Sequence, residues 1–562
     1  MLYRHVFCLS GLLVGTLHHS LSCNPAIGTQ PNIQTKNSPF LISELKGIVL
    51  LSQSEEKGLS AAKNREGVHW KDLDIPGHSE QLRKRLTPFL GSPVTHETLG
   101  KLKRTIDDYY RENHHPFVLV KVPEQEVTTG VLQLVVIESR LGNLRVEGNK
   151  WTSRERVEKY CHVKSGDFID ESRLIQNISF INRNPFRRGD LIFVPGKEEG
   201  TTDVVVSIKD RRSARFYSGS DDLGVEPLGA NRWYAGFNWG NVFGLDHILS
   251  YQFTSSYNMH RFQAHTAEYT APLSWGHLLD VYGGYSEVHP HVHYPFKHND
   301  GWSMQTSLRY VIPLKIYPYL EHEITFGGDF KRSNNTFEYV EVFPRFGHEV
   351  NLTQAVLGYG GNYERNKFRF DFIGNFYWSP GKWLSDQTNS DYASLRPGAV
   401  NHWIYFRGSL AYLQRLPKSF SFYMLTTGQI TSEPLLPSEQ FGLGGYDSVR
   451  GYEQRELNED NAFVVSSEFR SPAIPIIKSI RSSCSFYDAL QFLVFLDYGL
   501  GRTRKTFPGS GKSDYLLGAG PGLRYTIEPY LTLRFDWGIR LHNKKAFEGD
   551  WNRIHFNVTA SY

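Results

Sequence analysis

Phe441-Gly-Leu-Gly-Gly-Tyr-Asp-Ser-Val-Arg-Gly-Tyr452 is the most informative segment of the chain, and the rest can be read outward from it. Its glycines at 442, 444, 445 and 451 break any regular element and describe a long turn, with Arg450 near the tip. A guanidinium is a permanently charged, five-donor fork, and in a confined place it needs a carboxylate. A candidate partner lies one strand later: Asp497, in Phe495-Leu-Asp-Tyr-Gly499. There Phe495, Asp497 and Gly499 share one strand face while Val494, Leu496 and Tyr498 share the other. The second set is greasy enough to face lipid, so Asp497 is expected to point inward.

Val449-Arg450-Gly451-Tyr452, followed by Phe-x-Asp-x-Gly at 495–499, resembles the signature pair of the POTRA–barrel outer-membrane superfamily. That superfamily includes the two-partner secretion transporters of haemolysin secretion/activation type and the barrel-assembly factors. In it the sixth extracellular loop folds back into the barrel, and its Arg meets the Asp of an inward-facing strand. The resemblance implies that role for Arg450 and Asp497, with Val449, Gly451 and Tyr452 completing the loop motif. Without it, the same residues describe a glycine-rich hairpin loop carrying a solvated Arg.

At 562 residues the chain exceeds one ordinary domain. Hydrophobic content is 40% and mean hydropathy is −0.41, and no run of about 18 apolar residues follows the first twenty, which excludes transmembrane helices. A transmembrane β-barrel leaves only a weak hydropathy trace, and an aromatic fraction of 14% suits aromatic girdles. A net charge of +4, with no basic stripe, argues against nucleic acid. The four cysteines, at 8, 23, 161 and 484, have no metal-ligand spacing and are expected to be free thiols or leader residues.

Residues 1–23 read as a signal peptide, with Arg4 and His5 before an apolar stretch from Val6 to Leu17. Leu21-Ser-Cys23 also admits a lipidation reading. Residues 24–42 read as a proline-bearing linker, without the amphipathic pattern of the pore-plugging helix that relatives often carry. Residues 43–139 mix helix and strand: Ile48–Leu51, an amphipathic stretch at 80–90, a helix capped by Thr95, then strands over Phe117–Val122 and Val131–Ile137. Residues 58–74 look like an insertion. The order is POTRA-like, and Pro123-Glu-Gln125 resembles the family's turn between the last two strands. The same order repeats over 140–210, with Ser153 and Asp170 opening helices and Val204–Ile208 closing.

From 211 to 562 a two-residue alternation dominates. Leu531, Leu533, Phe535, Trp537, Ile539 and Leu541 alternate with Thr532, Arg534, Asp536, Gly538, Arg540 and His542. A soluble core would not accept that Arg-bearing face, whereas a wet lumen would. Roughly 350 residues at about 22 per strand and connection give about 16 antiparallel strands. The expected fold is therefore mainly β: a C-terminal transmembrane barrel preceded by two α/β POTRA domains. The last strand ends on Tyr562, which resembles the aromatic sorting signal read by the outer-membrane assembly machinery.

His289, His291, His293 and His298 share an alternating stretch, but Pro290 and Pro295 interrupt it, and a surface hairpin is the preferred reading over a metal site. Asp221-Asp222 reads as a turn pair. No catalytic order or phosphate loop is present, so neither enzyme activity nor a cofactor is expected. The resemblance implies an outer-membrane pore in contact with lipid, whose periplasmic POTRA units capture the N-terminal secretion domain of a large exported partner. Val131 and Leu134 on one strand, and Val204 and Val206 on another, are expected to offer sheet edges for that capture, beside Pro123 and Gln125. Reversing the Arg450 or Asp497 charge is expected to impair secretion, and reversing both to restore part of it. A barrel insertase serving other outer-membrane proteins is the alternative.

Overall fold

The unbroken apolar run Val131–Ile137 lies in the middle of a sheet, as a strand buried on both faces should. In the computed structural model the described residues are 41–55, 65–198, 200–290, 300–317, 319–335, 346–477, 487–504, 513–542 and 550–562. The leader, Cys23, the linker up to residue 40, Cys484 and His291, His293 and His298 lie outside them. The chain divides into two compact units, one ending at Asp210 and the other running from Arg211 to Tyr562.

The first unit begins with β1 (Gly47–Leu51) and β2 (Gly67–Lys71), then α1 (Ser79–Leu86) and α2 (His96–Glu112), then β3 (Val118–Lys121) and β4 (Val131–Glu138). The sheet order is β2-β1-β4-β3, with β1 parallel to both β2 and β4 and β3 antiparallel to β4. Leu82 and Leu86 of α1 and Leu102 and Ile106 of α2 pack on Ile48, Leu50, Leu132 and Leu134. Thr95 Oγ1 accepts the Thr98 N–H at 3.2 Å, so the expected cap of α2 is present. The expected insertion at 58–74 is corrected in part: Gly67–Lys71 is a paired edge strand, too short for its alternation to register.

A second α/β layer follows: β5 (Arg140–Glu147), α3 (Arg154–Cys161), α4 (Glu171–Ile181), β6 (Arg187–Pro195) and β7 (Thr201–Asp210). Its order is β5-β7-β6. Asp170 caps α4, accepting from the N–H groups of Ser172 at 2.9 Å and Arg173 at 3.3 Å. Both strands expected to be edges are central, because each pairs on both sides: β4 with β1 and β3, β7 with β5 and β6. Val131, Leu134, Val204 and Val206 are therefore core residues, at most 3% exposed. Among the described residues the sheet edges without a further strand are β2, β3, β5 and β6, and β5 is covered at its start by backbone bonds from Leu141 to Gly166 and Asp167.

The second unit is a closed antiparallel barrel of 16 strands that follow one another round the ring in chain order. The last strand, Asn552–Ser561, closes on the first, Ala214–Asp221, over the pairs from Asn557–Asp221 to Ser561–Tyr217. Along Tyr487–Arg502, Phe495 and Asp497 are buried while Val494, Leu496 and Tyr498 are exposed. That greasy outer face, shared by Phe376, Trp378 and Trp537, is what a lipid-facing wall requires. Among the described residues no helix is long and apolar enough to cross a membrane.

Two connections break the alternation. One carries α5 (Asn389–Leu395), opened by a capping box between Thr388 and Asp391. The other, residues 432–460, carries a short hairpin, Phe441–Leu443 with Leu457–Glu459, and buries Leu443, Val449, Arg450 and Tyr452 against the inner wall.

Candidate functional site: the loop tip inside the barrel

Arg450 is 1% exposed, and its side chain is held from every direction. Its Nε donates to Asp497 Oδ2 at 2.7 Å and its Nη2 to Asp497 Oδ1 at 2.8 Å, while its backbone N–H also reaches Oδ2 at 3.0 Å. Nη1 donates to Glu468 Oε1 at 2.7 Å and lies 3.4 Å from Asp536 Oδ2. Ser466 Oγ completes the cage, accepting from Nη2 at 3.0 Å and donating to Asp497 Oδ1 at 2.6 Å. The guanidinium carbon sits 3.6 Å from the centroid of the Phe495 ring, a cation–π contact.

Alternation explains why these groups converge. Ser466 and Glu468 are two apart on Asn461–Arg470, Asp497 lies on the next strand, and Asp536 on Leu531–Arg540; all point into the lumen. Three carboxylates this close would repel one another without cations. Arg524 bridges Glu468 at 3.1 Å and Asp536 at 2.7 Å, Arg534 meets Asp536 at 2.8 Å, and Arg470 meets Glu468 at 2.6 Å. The loop's guanidinium is thus the keystone of an ionic network built on wall residues. Removing one member of such a buried set strands the others.

The rest of the motif positions that fork. Gly451 has φ 98, a left-handed backbone that disfavours a side chain. It rests on Gly538, where an added Cβ would lie 2.2 Å from Gly451 N. Val449 is fully buried against Gly499, and the Tyr452 hydroxyl donates to the His542 carbonyl at 2.5 Å while accepting the Leu517 N–H at 3.2 Å.

The base of the segment has its own anchors. Glu439, fully buried, accepts from Lys331 Nζ at 2.7 Å, Tyr405 OH at 2.8 Å and Gln354 Nε2 at 3.2 Å. Arg396 grips Asp460 with two bonds, at 2.6 and 2.9 Å. Leu435 and Leu436 pack with Tyr392 and Leu395 of α5.

Sequence reasoning named Arg450 and Asp497, and the structure brings them together. It missed Glu468, although the Ser466-x-Glu468 spacing carries the same inward signal, and it had Asp536 on the polar face without a partner. Asp221 and Asp222 are not a solvated turn pair: both are buried, Asp221 against Arg232 at 2.9 Å and Asp222 against His555 at 2.6 Å. In the first unit, Pro123 and Gln125 do lie in the β3–β4 turn. Gln125 Nε2 donates to the Gln133 carbonyl at 2.7 Å, and its Oε1 accepts the Gln133 N–H at 2.7 Å, so the side chain pairs with β4 like a strand. Tyr562 is 81% exposed and pairs through its backbone with Phe216. His289 lies 3.7 Å from Asp300.

Comparison with known proteins bears on this architecture. The family profile "Haemolysin secretion/activation protein ShlB/FhaC/HecB" matches residues 200–525, more than half of the chain, and a ShlB-type POTRA domain profile matches residues 76–139. Over 476 residues the chain is 22% identical to the heme/hemopexin transporter protein HuxB of Haemophilus influenzae, covering 84% of this chain and 80% of that protein. It is 23% identical to the outer membrane transporter CdiB of Dickeya dadantii (strain 3937), over 64% of this chain and 63% of that one. Among solved structures, CdiB from Escherichia coli shares the fold with a TM-score of 0.76, at 18% identity, over 96% of this chain and 93% of that one. The chain belongs to the haemolysin secretion/activation family ShlB/FhaC/HecB, a family of outer-membrane β-barrel secretion transporters with POTRA domains.

Proposed function

We propose that this chain captures the N-terminal secretion domain of one large exported partner with its periplasmic α/β unit and passes that partner outward through the barrel. The observation that carries the reading is the segment 432–460, folded into the lumen and caged at Arg450. The buried ionic network fixes that loop at one position in the path of anything that crosses the barrel. A transport pore needs an element with one defined resting position.

The outer membrane offers no ATP, so movement must come from binding and from folding on the far side. Capture by β-augmentation fits the open edges β3 and β6, where Leu119 and Ile192 are 49% and 48% exposed. These replace the central strands β4 and β7 as the surface on which an extended segment can add. The partner is of the haemolysin, adhesin or contact-toxin class, β-helical once folded. In this reading residues 1–23 direct export, the apolar outer wall meets outer-membrane lipid, and the strand ending at Tyr562 is read by the assembly machinery.

Photo-crosslinkers placed at Leu119, Ile192 and, as a buried control, Val206 test the capture step in the full-length protein. Crosslinks to a co-expressed secretion domain are expected at the first two positions only. If the domain neither crosslinks nor is retained by the protein, the capture reading fails. The insertase alternative predicts crosslinks to unfolded barrel precursors instead.

A further inference from the structure

The loop tip has a second attachment that the Arg450 cage does not explain. The Gly451 N–H donates to His555 Nε2 at 3.0 Å, and His555 Nδ1 lies 2.6 Å from Asp222 Oδ2. His555 and Asp222 are 1% and 5% exposed. Asp222 Oδ1 accepts the Phe556 N–H at 3.0 Å. Asp222 follows the first barrel strand and His555 sits on the last, so this chain of bonds crosses the line where the barrel closes. The strand ladder there has five residue pairs, extended by backbone bonds between Phe216 and Tyr562 and from Asp222 to Phe556, whereas Tyr487–Arg502 and Ser513–Glu528 share sixteen. One relay therefore ties the loop tip to the shortest-paired part of the ring.

An imidazole that accepts at Nε2 must carry its proton on Nδ1, and Asp222 is placed to receive it. The neutral Nδ1–H tautomer alone satisfies both contacts. An imidazolium would present an Nε2–H to the Gly451 N–H, donor against donor, and the backbone contact would be lost.

We propose that His555 and Asp222 are positioning residues that latch the loop tip to the closing seam, and that protonation of His555 releases the latch. This rests on the reading of 432–460 as the element that sets the state of the pore. The charged groups around the imidazole are fixed by their own partners. Asp536 stands opposite His555 in register and is held by Arg534 and Arg524. Asp221 is paired with Arg232, Arg553 with Glu453, and Arg540 donates to the Gly451 carbonyl at 2.8 Å. Asp447 of the loop interacts through space with Asp221 and Asp222.

The test uses the full-length protein in planar bilayers, with hydrogen exchange of segment 432–460 on the same preparation. Heat-modified mobility on gels confirms that each variant is a folded barrel. Acidification from about pH 7.5 to about pH 5.5 is expected to raise the frequency of open events several-fold in the unmodified protein. His555→Gln should lose most of that several-fold rise, the remainder belonging to Glu459 of the same segment, a buried carboxyl that accepts from the Thr503 hydroxyl. Asp222→Asn, which removes the carboxylate that stabilises the imidazolium, should move the response to lower pH. At each pH the variant-to-parent exchange ratio at Gly451 should follow the same order. A His555→Gln profile that tracks the unmodified protein overturns the latch. If the protein conducts no ions at any pH, the pore reading fails instead, and the exchange ratios decide the latch on their own.

Discussion

Arg450 and Asp497 meet side-on, Nε to Oδ2 at 2.7 Å and Nη2 to Oδ1 at 2.8 Å, and the Arg450 backbone N–H closes on the same carboxylate. The third bond matters because it survives removal of the guanidinium. The carboxylate thus positions the loop backbone as well as its side chain, and the two residues are not equivalent partners.

Truncating either residue leaves buried charge uncompensated, a cost of about 3–5 kcal/mol that falls on the seating of the loop. Arg450→Ala should lower secretion of a co-expressed partner at least tenfold, with the barrel still folded by heat-modified mobility. Asp497→Ala should be worse, since it also frees the backbone N–H. Arg450→Lys keeps the charge without the fork and should fall between. The double reversal R450D/D497R, which a simple pair would tolerate, should not restore secretion. An acid at 450 would face Glu468 and Asp536, which Arg450 now joins at 2.7 and 3.4 Å. Recovery in the double variant would show that those two carboxylates do not contribute.

Gly538 tests the seat without touching a charge. A methyl group there would lie 2.2 Å from Gly451 N and 2.5 Å from its Cα, both backbone atoms that cannot swing aside. Gly538→Ala should therefore lift the tip from the wall while leaving the ionic residues intact. Limited proteolysis should then cut within 432–460 in the variant and spare the unmodified protein. Equal resistance would mean that the wall yields rather than the loop.

The barrel was legible because alternation is local: each inward or outward assignment along Leu531–Leu541 follows from its neighbours in the chain. The loop pair was legible for a different reason, since a confined guanidinium demands an acid and the following strands offered one. Sheet order in the first unit was not, because pairing between β1 and β4 joins residues more than 80 apart in sequence. The run Val131–Ile137 did carry the signal of a doubly buried central strand, and reading it as an edge ignored that signal. Asp222, Glu439 and His555 gave no warning at all. Their partners lie as far as 333 residues away, and an isolated Asp in a turn looks the same whether solvent or an imidazole faces it.

Cys161 offers a probe of the first unit. It is a free thiol, 2% exposed, and burial, with a smaller push from Glu158, drives it up to about 12. Since the thiolate is the reactive form, native protein should resist maleimide at neutral pH. With Cys8, Cys23 and Cys484 replaced by Ser, labelling should report opening of the α3–α4 layer, following denaturant in step with loss of helix. Rapid labelling of the native protein would show that this layer opens on its own.

His115 links the end of α2 to β4, with Nδ1 3.2 Å from Glu138 Oε2. The hydrogen bond to Glu138 raises its pKa above the ordinary histidine value, against the lowering effect of partial burial. A folded-state value above the unfolded one, about 6.5, means the protonated form binds more favourably in the native unit. That stability is complete below the unfolded value and disappears as pH rises through the folded one. The urea midpoint of residues 41–210 should accordingly fall between about pH 6 and pH 8, where an imidazole discharges. His115→Gln should remove this part of the slope and leave the rest of the pH dependence in place. An unchanged slope in the variant would assign the effect to another group and leave Glu138 without a role in coupling α2 to the sheet.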